Sequence, residues 1–184
     1  MTTAASNNTA LVSIICEDHA GLIADVTGRL FDIGINLGDT TFAVLGGGAE
    51  FTLVAKLPKG VTLADLEREL KSLPDMKDAR LSVTAFSYRE SHDERARITH
   101  RIEITGDDSP GLIARLSEAF RQFGANIVRL NSESVPSESG ARFLLRLAIW
   151  VPQDKAAACL ATVANTAGQM NLKCQWTAVG HAVG

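Results

Sequence analysis

An internal repeat is the feature that most constrains what this chain can fold into. A motif of the form Asp-x-x-Gly-Leu-Ile-Ala starts at Asp18 and occurs again at Asp108, ninety positions later. The same offset, without a gap, places a Gly-x-Asn motif at residues 34–36 and again at 124–126. The chain has 184 residues, so the offset is close to half its length. This spacing predicts two copies of one small domain.

Each copy predicts the same order of secondary structure, β-α-β-β-α-β. Apolar residues at Leu22, Val26 and Leu30 form one face of a helix, and short apolar or alternating runs favour strands. The strands are expected over residues 11–16, 36–45, 50–57 and 79–86, and over 98–104, 126–135, 142–151 and 172–179, with loops at 46–48 and 136–140. Thr62 and Asp65 predict a capping box at the second helix. This order is typical of an α+β fold, with two ferredoxin-like βαββαβ domains in tandem, each an antiparallel sheet with both helices on one face.

The same reading divides the chain into four segments. Residues 1–9 are small and polar, which predicts a disordered tail, and residues 87–96 are polar and charged, which predicts a linker. The two domains then occupy residues 10–86 and 97–180. The open face of each sheet calls for a partner, either the other copy or a second chain, so a homodimer is one expectation.

Composition narrows the function classes. The chain is 46% hydrophobic and 21% charged, with a net charge of -3, which are ordinary globular values. Mild acidity argues against wrapping nucleic acid by bulk electrostatics, and no apolar run is long enough for a membrane span. The three cysteines are odd in number and lack CxxC spacing, which indicates free thiols in a reducing cytoplasm. No motif predicts catalysis, a metal site or a cofactor.

The repeated loop is the candidate ligand site. A turn that enters a helix presents unpaired backbone N–H groups, which suit a carboxylate, and Gly21 and Gly111 keep that backbone bare. Asn36 and Asn126 each carry a donor and an acceptor for the charged groups of a zwitterion. The candidate ligand-binding residues are Asp18, His19, Ala20, Gly21, Leu22, Ile23 and Asn36 in copy one, and Asp108, Ser109, Pro110, Gly111, Leu112, Ile113 and Asn126 in copy two.

Each of these residues also has a purely structural interpretation. Asp18 and Asp108 could cap the helix rather than meet an ammonium group. The glycines could serve turn geometry alone, and the asparagines could mark the bend into a strand. His19 could be a surface-loop histidine instead of a pH-sensitive ligand contact. The sequence leaves these alternatives open.

Together, the loop motif and the Gly-x-Asn motif resemble the ACT domain, a small ligand-sensing regulatory module typically responsive to amino acids. The resemblance covers residues 10–86 and 97–180. Residues 37–46, followed by Glu50-Phe51-Thr52, are similar to the tandem-ACT regulators of the glycine cleavage system transcriptional repressor type. The pair Ser109-Pro110 fits the ACT loop pattern, whereas His19-Ala20 departs from it.

The resemblance implies a non-enzymatic regulator that senses a small amino acid, with glycine as a candidate. It further implies control of transcription through a protein partner, a transcription factor, without direct contact with nucleic acid. The sequence agrees with the last point, since no helix-turn-helix or basic stripe is evident. The alternative is a detached amino-acid-sensing regulatory subunit of a biosynthetic enzyme.

Overall fold

The chain forms two compact units, which meet in the sequence between Tyr88 and Arg89. The computed structural model describes residues 8–88, 91–107, 110–137 and 140–180. Unit 1 contains β1 Thr9–Glu17, α1 Leu22–Asp32, β2 Asn36–Leu45, β3 Gly48–Lys56, α2 Leu63–Lys71, a short 3-10 helix Pro74–Met76 and β4 Arg80–Ala85. Unit 2 contains a 3-10 helix Glu94–Ala96, β5 His100–Gly106, α3 Leu112–Gln122, β6 Asn126–Ser137, β7 Gly140–Trp150, a 3-10 helix Gln153–Lys155, α4 Ala156–Gln169 and β8 Lys173–Ala178.

Each unit holds one four-stranded antiparallel sheet. The strand orders are β2-β3-β1-β4 and β6-β7-β5-β8, so the two central strands of each sheet are flanked by the second and last strands. In unit 1, Thr9 lies opposite Lys56 at one end of β1, and Glu17 lies opposite Gly48 at the other end. The predicted tandem ferredoxin-like α+β fold is confirmed.

A separate hydrophobic core fills each unit. Strand β1 alternates, with Val12 and Ile14 fully buried and Ile15 49% exposed, because successive strand side chains point to opposite faces. The helices cover the buried face. In unit 1 they contribute Leu22, Val26, Leu30, Leu66 and Leu70, and in unit 2 Leu112, Leu116, Phe120, Cys159 and Val163. The other face of each sheet is left without a helix.

Most strand ends differ from the expected ones by one or two residues, and two of the differences change an expected segment. Residues 136–140 were expected to form a loop, but β6 continues through Ser137 and Pro136 lies opposite Ala141 in β7. An edge strand tolerates proline because the missing N–H is not needed by a second neighbour. Strand β1 begins at Thr9, inside the expected tail, and the Asn8 side chain donates to the Leu57 carbonyl at 2.8 Å. Residues 1–7 of that tail lie outside the described residues.

The capping box expected at α2 is confirmed. The Thr62 hydroxyl accepts from the Asp65 backbone N–H at 3.1 Å, and the Asp65 carboxylate accepts from the Thr62 backbone N–H at 3.0 Å. Hydrogen bonds from Thr62 and from the Arg68 guanidinium lower the pKa of Asp65 to about 2, because both stabilise the ionised carboxylate.

All three cysteines are free thiols, as the sequence indicated. Cys159 is fully buried in the unit 2 core, and burial raises the pKa of its thiol to about 11. A thiol held in its neutral form is a poor nucleophile, so Cys159 packs as a small apolar side chain.

Candidate functional site

The first candidate loop joins β1 to α1 in unit 1 and consists of residues 18–21, called loop 1 here. The Asp18 backbone N–H donates to the Gly47 carbonyl at 3.1 Å, which ties loop 1 to the β2–β3 hairpin. Gly21 is the N-cap of α1 with φ 102°, a left-handed conformation that glycine adopts at little cost. No side chain at the N-cap accepts from the first turn. Asp18 is therefore not the N-cap residue, and the capping interpretation places the cap three residues too early.

His19 connects loop 1 to the segment that follows α2. Its Nδ1 lies 3.2 Å from the Ala20 carbonyl oxygen, and its Nε2 lies 3.7 Å from a carboxylate oxygen of Asp75. The Nε2 atom is shielded from solvent and has no hydrogen-bond partner among the described residues. Burial together with the carboxylates of Asp18 and Asp75 raises the pKa of the Cys16 thiol, so negative charge surrounds this end of unit 1. The two ring nitrogens of His19 therefore both lie close to oxygen atoms of unit 1.

A carboxylate already lies at the helix end of loop 1. A Cβ added to Gly21 would meet Oδ2 of Asp25 at 3.5 Å. Asp25 is in the first turn of α1, where its negative charge is stabilised by the helix dipole and the unpaired N–H groups. The position that would hold a ligand carboxylate in unit 1 is therefore close to a protein carboxylate.

The second candidate loop precedes α3 in unit 2 and is called loop 2 here. Asp108 and Ser109 lie outside the described residues, so the structure describes Pro110 and Gly111 of this loop. Gly111 is the N-cap of α3 with φ 80°, and among the described residues no atom beyond its chain neighbours and its own helix backbone lies within 4 Å of a Cβ added to it. Its carbonyl accepts from the Arg115 N–H at 3.0 Å, as the Gly21 carbonyl accepts from Asp25 at 2.9 Å. The N-cap glycines of the two helices have similar backbone conformations, and no side chain of a described residue crowds the second glycine.

The first helical turn differs in charge between the units. Arg115 occupies the position in α3 that Asp25 occupies in α1, and the first turn of α3 contains no acidic residue. Helix side chains lean toward the N-terminus, so the exposed Arg115 side chain is directed toward the end of α3 that Gly111 caps, although none of its atoms lies within 4 Å of a Cβ added to Gly111. Unpaired N–H groups, a positive helix end and a guanidinium together favour a carboxylate. The first turn of α3 is therefore more favourable for an anionic group than the first turn of α1.

The two asparagines do not lie beside the loops of their own units. Asn36 pairs with Lys56, at the end of the sheet where β1 starts, whereas loop 1 follows the last residue of β1. Nine strand residues separate these ends by about 26 Å at 3.3 Å per residue. Asn126 likewise pairs with Trp150 in β7. Trp150 is seven residues from Phe143, which pairs with Gly106 at the end of β5, so Asn126 lies about 23 Å from that end. One small amino acid cannot touch the loop and the asparagine of the same unit, which corrects the expectation that they act together there.

Asn126 has a structural role that the sequence did not indicate. Its side-chain amide donates to the Arg95 carbonyl at 2.9 Å, and so holds the short 3-10 helix Glu94–Ala96 against the start of β6. Asn36 makes no side-chain hydrogen bond of this kind within residues 8–88. The bend interpretation fits both asparagines, and Asn126 adds a tether for the linker.

The remaining predicted residues divide by burial. Leu22 and Leu112 are 1% and 2% exposed and belong to the two cores, so neither side chain is available to a ligand. Ile23 and Ile113 are 44% and 37% exposed at the first turns of their helices. Ala20 and Pro110 are exposed at the loops. Within the predicted set, backbone and small side chains line the loops, as a site for a small zwitterion needs.

Sequence reasoning missed Asp25, Arg115 and Asp75. The first two were accessible, because they occupy the same position of the repeat and differ in charge. Repeat positions that differ in charge, such as Asp25 and Arg115, are therefore as informative about the site as the seven positions that are identical in the two motifs. Asp75 follows α2, and no sequence signal links it to His19, since packing of α2 against β4 brings it there.

Metal-binding clusters and membrane-spanning helices are absent from the described residues. Within the described ranges, no group of three or more His, Cys, Asp or Glu side chains is arranged to hold a metal ion. Over the same ranges, no helix is both long and apolar enough to cross a membrane.

Known proteins share both the sequence pattern and the fold. The chain is 25% identical to the glycine cleavage system transcriptional repressor of Escherichia coli (strain K12). The alignment extends over 181 residues and covers 92% of this chain and 93% of that protein. The repressor of the same name from Shigella flexneri is similar to the same extent. An unknown protein from Galdieria sulphuraria shares the fold, with a TM-score of 0.74 at 20% identity over 94% of this chain and 99% of that one. The ACT domain family model matches residues 8–84 and 101–177, so the chain belongs to the ACT domain family and contains the domain twice.

Proposed function

We propose that this chain is a non-enzymatic cytoplasmic regulator that senses a small amino acid, with glycine as the first candidate, at loop 2. In this proposal the chain controls transcription indirectly, through a protein partner. The family membership and the similarity to two repressors of the glycine cleavage system support the regulatory class. The open, cationic N-terminus of α3 is the observation that carries the choice of loop.

The chemistry of loop 2 supports an amino-acid carboxylate as the anchoring group. Gly111 leaves the backbone bare, and Arg115 supplies a guanidinium that can form a charge-assisted hydrogen bond. Asp108 and Ser109 are candidates for the ligand ammonium on the strength of the sequence alone. A small ligand suits this loop because the bare backbone at Gly111 leaves unpaired N–H groups for a carboxylate.

The charge of the chain supports indirect control of transcription. A net charge of -3 is unfavourable for binding the phosphate backbone, and no helix-turn-helix is evident in the sequence. In this proposal the regulator binds a transcription factor and does not bind the promoter DNA.

Isothermal titration of the full chain with glycine, serine and other small amino acids tests the ligand. We expect binding by the wild type and a loss of about 1.5–3 kcal/mol in binding free energy for Arg115→Ala, the usual cost of deleting a charged hydrogen-bond partner. Gly111→Val should also weaken binding, because a branched side chain would cover the N–H groups. The matched controls are Arg121→Ala on the same helix and Gly21→Val in loop 1, and both should bind like the wild type.

Two results would contradict the ligand proposal. Binding that Gly21→Val abolishes and Arg115→Ala leaves intact would move the site to loop 1. Absence of heat with every small amino acid, confirmed by a second method such as NMR titration, would leave a pair of ACT domains that acts by protein contact alone.

The partner is tested separately. The purified chain should show no salt-sensitive binding to duplex DNA of its target promoter. Affinity purification from the native organism should yield a transcription factor, and adding the effector should change that association. Recovery of a biosynthetic enzyme instead would support the alternative of a detached regulatory subunit, and tight, salt-dependent DNA binding would overturn indirect control.

A further inference from the structure

The face of the unit 2 sheet that carries no helix is rich in basic residues. Residues directly opposite each other in paired strands lie on the same side of a sheet, and successive residues alternate between sides. The buried pair Ile102 and Leu147 belongs to the core on the helix side, so the neighbouring pair Arg101 and Ala148 lies on the other side. The register places five basic and two acidic residues on this helix-free face, with a combined charge of +3, and they are Arg101, Arg129, Arg142, Arg146, Lys173, Glu103 and Glu133.

The corresponding face of unit 1 shows that the fold does not require these charges. Leu11 takes the repeat position of Arg101. Thr52 lies opposite the second and first strands of its sheet in the way that Arg146 does in unit 2. The basic face is therefore a property of unit 2 and has no role in forming the sheet that both units share.

Most of the cations on this face have no counterpart in the protein. Arg146 is neutralised, because its Nε lies 3.3 Å from Glu103 Oε2 and its Nη1 lies 2.5 Å from Glu133 Oε1. Four other cations on the face make no ion pair and no side-chain hydrogen bond within the described part of the chain, and all are exposed; they are Arg101, Arg129, Arg142 and Lys173. Such cations favour anionic groups supplied by another molecule.

The spacing of the unpaired arginines fits an extended chain. Arg101 and Arg129 both lie opposite Ala148, on the two sides of β7, so their backbones are two strand spacings or about 10 Å apart. Ala148 between them is 4% exposed, as expected where long arginine stems lie beside a small residue. Arg142 is six residues further along β7, or about 20 Å. A peptide of about six or seven extended residues spans this distance.

We infer that the helix-free face of unit 2 binds an acidic, extended segment of the protein partner. Carboxylates of that segment pair with Arg101, Arg129 and Arg142, while Arg146 stays in its ion pairs with the two glutamates. The inference rests on the proposed protein partner and assigns the surface by which the chain contacts it. Loop 2 is not part of this surface.

The two glutamates favour a peptide over a nucleic acid. Glu103 and Glu133 lie between the Ala148 end and the Arg142 end of the face, where they repel a continuous row of phosphates. A peptide carries carboxylates only at certain positions and avoids this repulsion. Single-stranded nucleic acid also needs exposed aromatic rings on which its bases stack, but Trp176 lies opposite the core residue Ile102 and Trp150 is half-buried.

Fluorescence anisotropy of the full chain with an acidic probe tests the inference. The probe is a fluorescein-labelled peptide of about ten residues in which Glu and Ser alternate, so that the carboxylates lie on one side when it is extended. The same peptide with Lys in place of Glu is its control and should not bind. We expect the wild type to bind the acidic peptide, and to bind it more weakly as salt is added, because exposed charges are screened.

Two double variants separate the face from the overall charge. Arg101→Leu with Arg129→Leu, the first of which copies the residue of unit 1, should raise the dissociation constant by about tenfold or more, which corresponds to about 1.4 kcal/mol. Arg80→Leu with Arg121→Leu removes two positive charges from the helix-free face of unit 1 and from α3, and it should leave the dissociation constant unchanged.

Amide NMR shifts of the wild type locate the peptide without any variant. They should change in β5, β6 and β7 and not at the start of α3. Absence of binding at low salt, shifts confined to another surface, or equal weakening in the two double variants would overturn the inference. So would a single-stranded oligonucleotide that binds this face more tightly than the peptide. These measurements contain neither the amino-acid effector nor promoter DNA, so failure of the amino-acid site or of indirect control is seen separately.

Discussion

The two units share a backbone and differ in the charge that surrounds its most distinctive turn. Gly21 and Gly111 both adopt positive φ values, 102° and 80°, and both accept a hydrogen bond from the residue four positions on. That residue is Asp25 in unit 1 and Arg115 in unit 2. A repeated motif can therefore preserve the shape of a site while the neighbouring side chains reverse which ligand charge it favours.

The difference extends over the whole of each unit. Residues 1–88 contain eleven acidic and seven basic residues, whereas residues 89–184 contain ten acidic and eleven basic residues. The field of unit 2 is therefore less unfavourable to the carboxylate end of a ligand than the field of unit 1. In unit 1, residues 40–45 of edge strand β2 carry no charged side chain. The charge comparison supports unit 2 as the place of the proposed amino-acid site.

The largest expected effect tests whether the two cores are separate. Phe120→Ala, at a residue 1% exposed, should destabilise unit 2 by about 3–5 kcal/mol, and Leu30→Ala at the equivalent position should destabilise unit 1 by about 2–5 kcal/mol. Both tryptophans, Trp150 and Trp176, belong to unit 2, so tryptophan fluorescence reports that unit while circular dichroism reports both. Equal shifts of the fluorescence midpoint for the two variants would break the comparison.

Reversal of the charge in the first turn of α3 should have the next largest effect, a loss of ligand affinity. Arg115→Asp gives loop 2 the acidic residue of loop 1, and binding of an amino-acid carboxylate should weaken by more than the roughly 1.5–3 kcal/mol of a simple deletion, because repulsion is added. Asp25→Asn in unit 1 should leave the affinity unchanged. Calorimetric titration measures both, and equal sensitivity to the two substitutions would show that both loops bind.

Alanine at the two N-cap glycines should have nearly equal effects on stability. A left-handed conformation costs an alanine about 1–2 kcal/mol, and the surroundings leave room for a Cβ at both positions. Denaturant unfolding of Gly21→Ala and Gly111→Ala measures these costs. A clear inequality would show that the two turns are not equivalent in energy, despite their similar geometry.

The two asparagines should respond differently to truncation. Asn126→Ala removes the hydrogen bond to the Arg95 carbonyl and should cost about 0.5–1.5 kcal/mol, whereas Asn36→Ala should stay within about 0.5 kcal/mol. Trypsin offers a local readout, since Arg95 lies in the tethered segment and Arg97 follows it, and cleavage after both should be faster in Asn126→Ala. Unchanged cleavage would mean that the tether does not order the linker.

The smallest expected effect concerns pH and the α2 cap. The folded-state pKa of Asp65 is lowered to about 2 from an ordinary value of 3.8, so its stabilising contribution is present above pH 4 and is lost as pH falls toward 2. Helix α4 of unit 2 has Lys155 at its N-cap and no capping side chain, so it has no equivalent loss. The difference in unfolding free energy between wild type and Thr62→Ala, about 1 kcal/mol at neutral pH, should shrink over this range. A difference that is constant down to pH 2 would contradict this.

The fold was predictable from the sequence because it depends on local residue patterns that occur in both halves of the chain. The apolar spacing of Leu22, Val26 and Leu30 specifies a buried helical face, and Thr62 with Asp65 specifies a helix start. The two motifs, which share seven identical positions at an offset of 90 residues, then predicted that the second half of the chain repeats the fold of the first half. The loop expected at residues 136–140 is shorter in the structure, because β6 is an edge strand and can continue through Pro136.

The candidate site was only partly accessible in this way. The glycine turns were predicted at the correct residues, and the structure places them at helix N-termini. The grouping of the asparagines with the loops was wrong within a unit, because the helix between them carries the chain back along the sheet. An eleven-residue helix spans about 16 Å, so this separation was implicit in the predicted topology.

The sequence by itself determined two ACT domains and the bare backbone at each helix entrance, because periodicity, turn residues and repetition are properties of neighbouring positions. Tertiary structure decided what surrounds those turns. The Asp75 carboxylate beside His19 and the Arg95 carbonyl at Asn126 come from segments distant along the chain. The exposure of the β2 edge depends on the strand order of the folded sheet. Such contacts depend on how whole elements pack, and the local spacing of residues does not encode them.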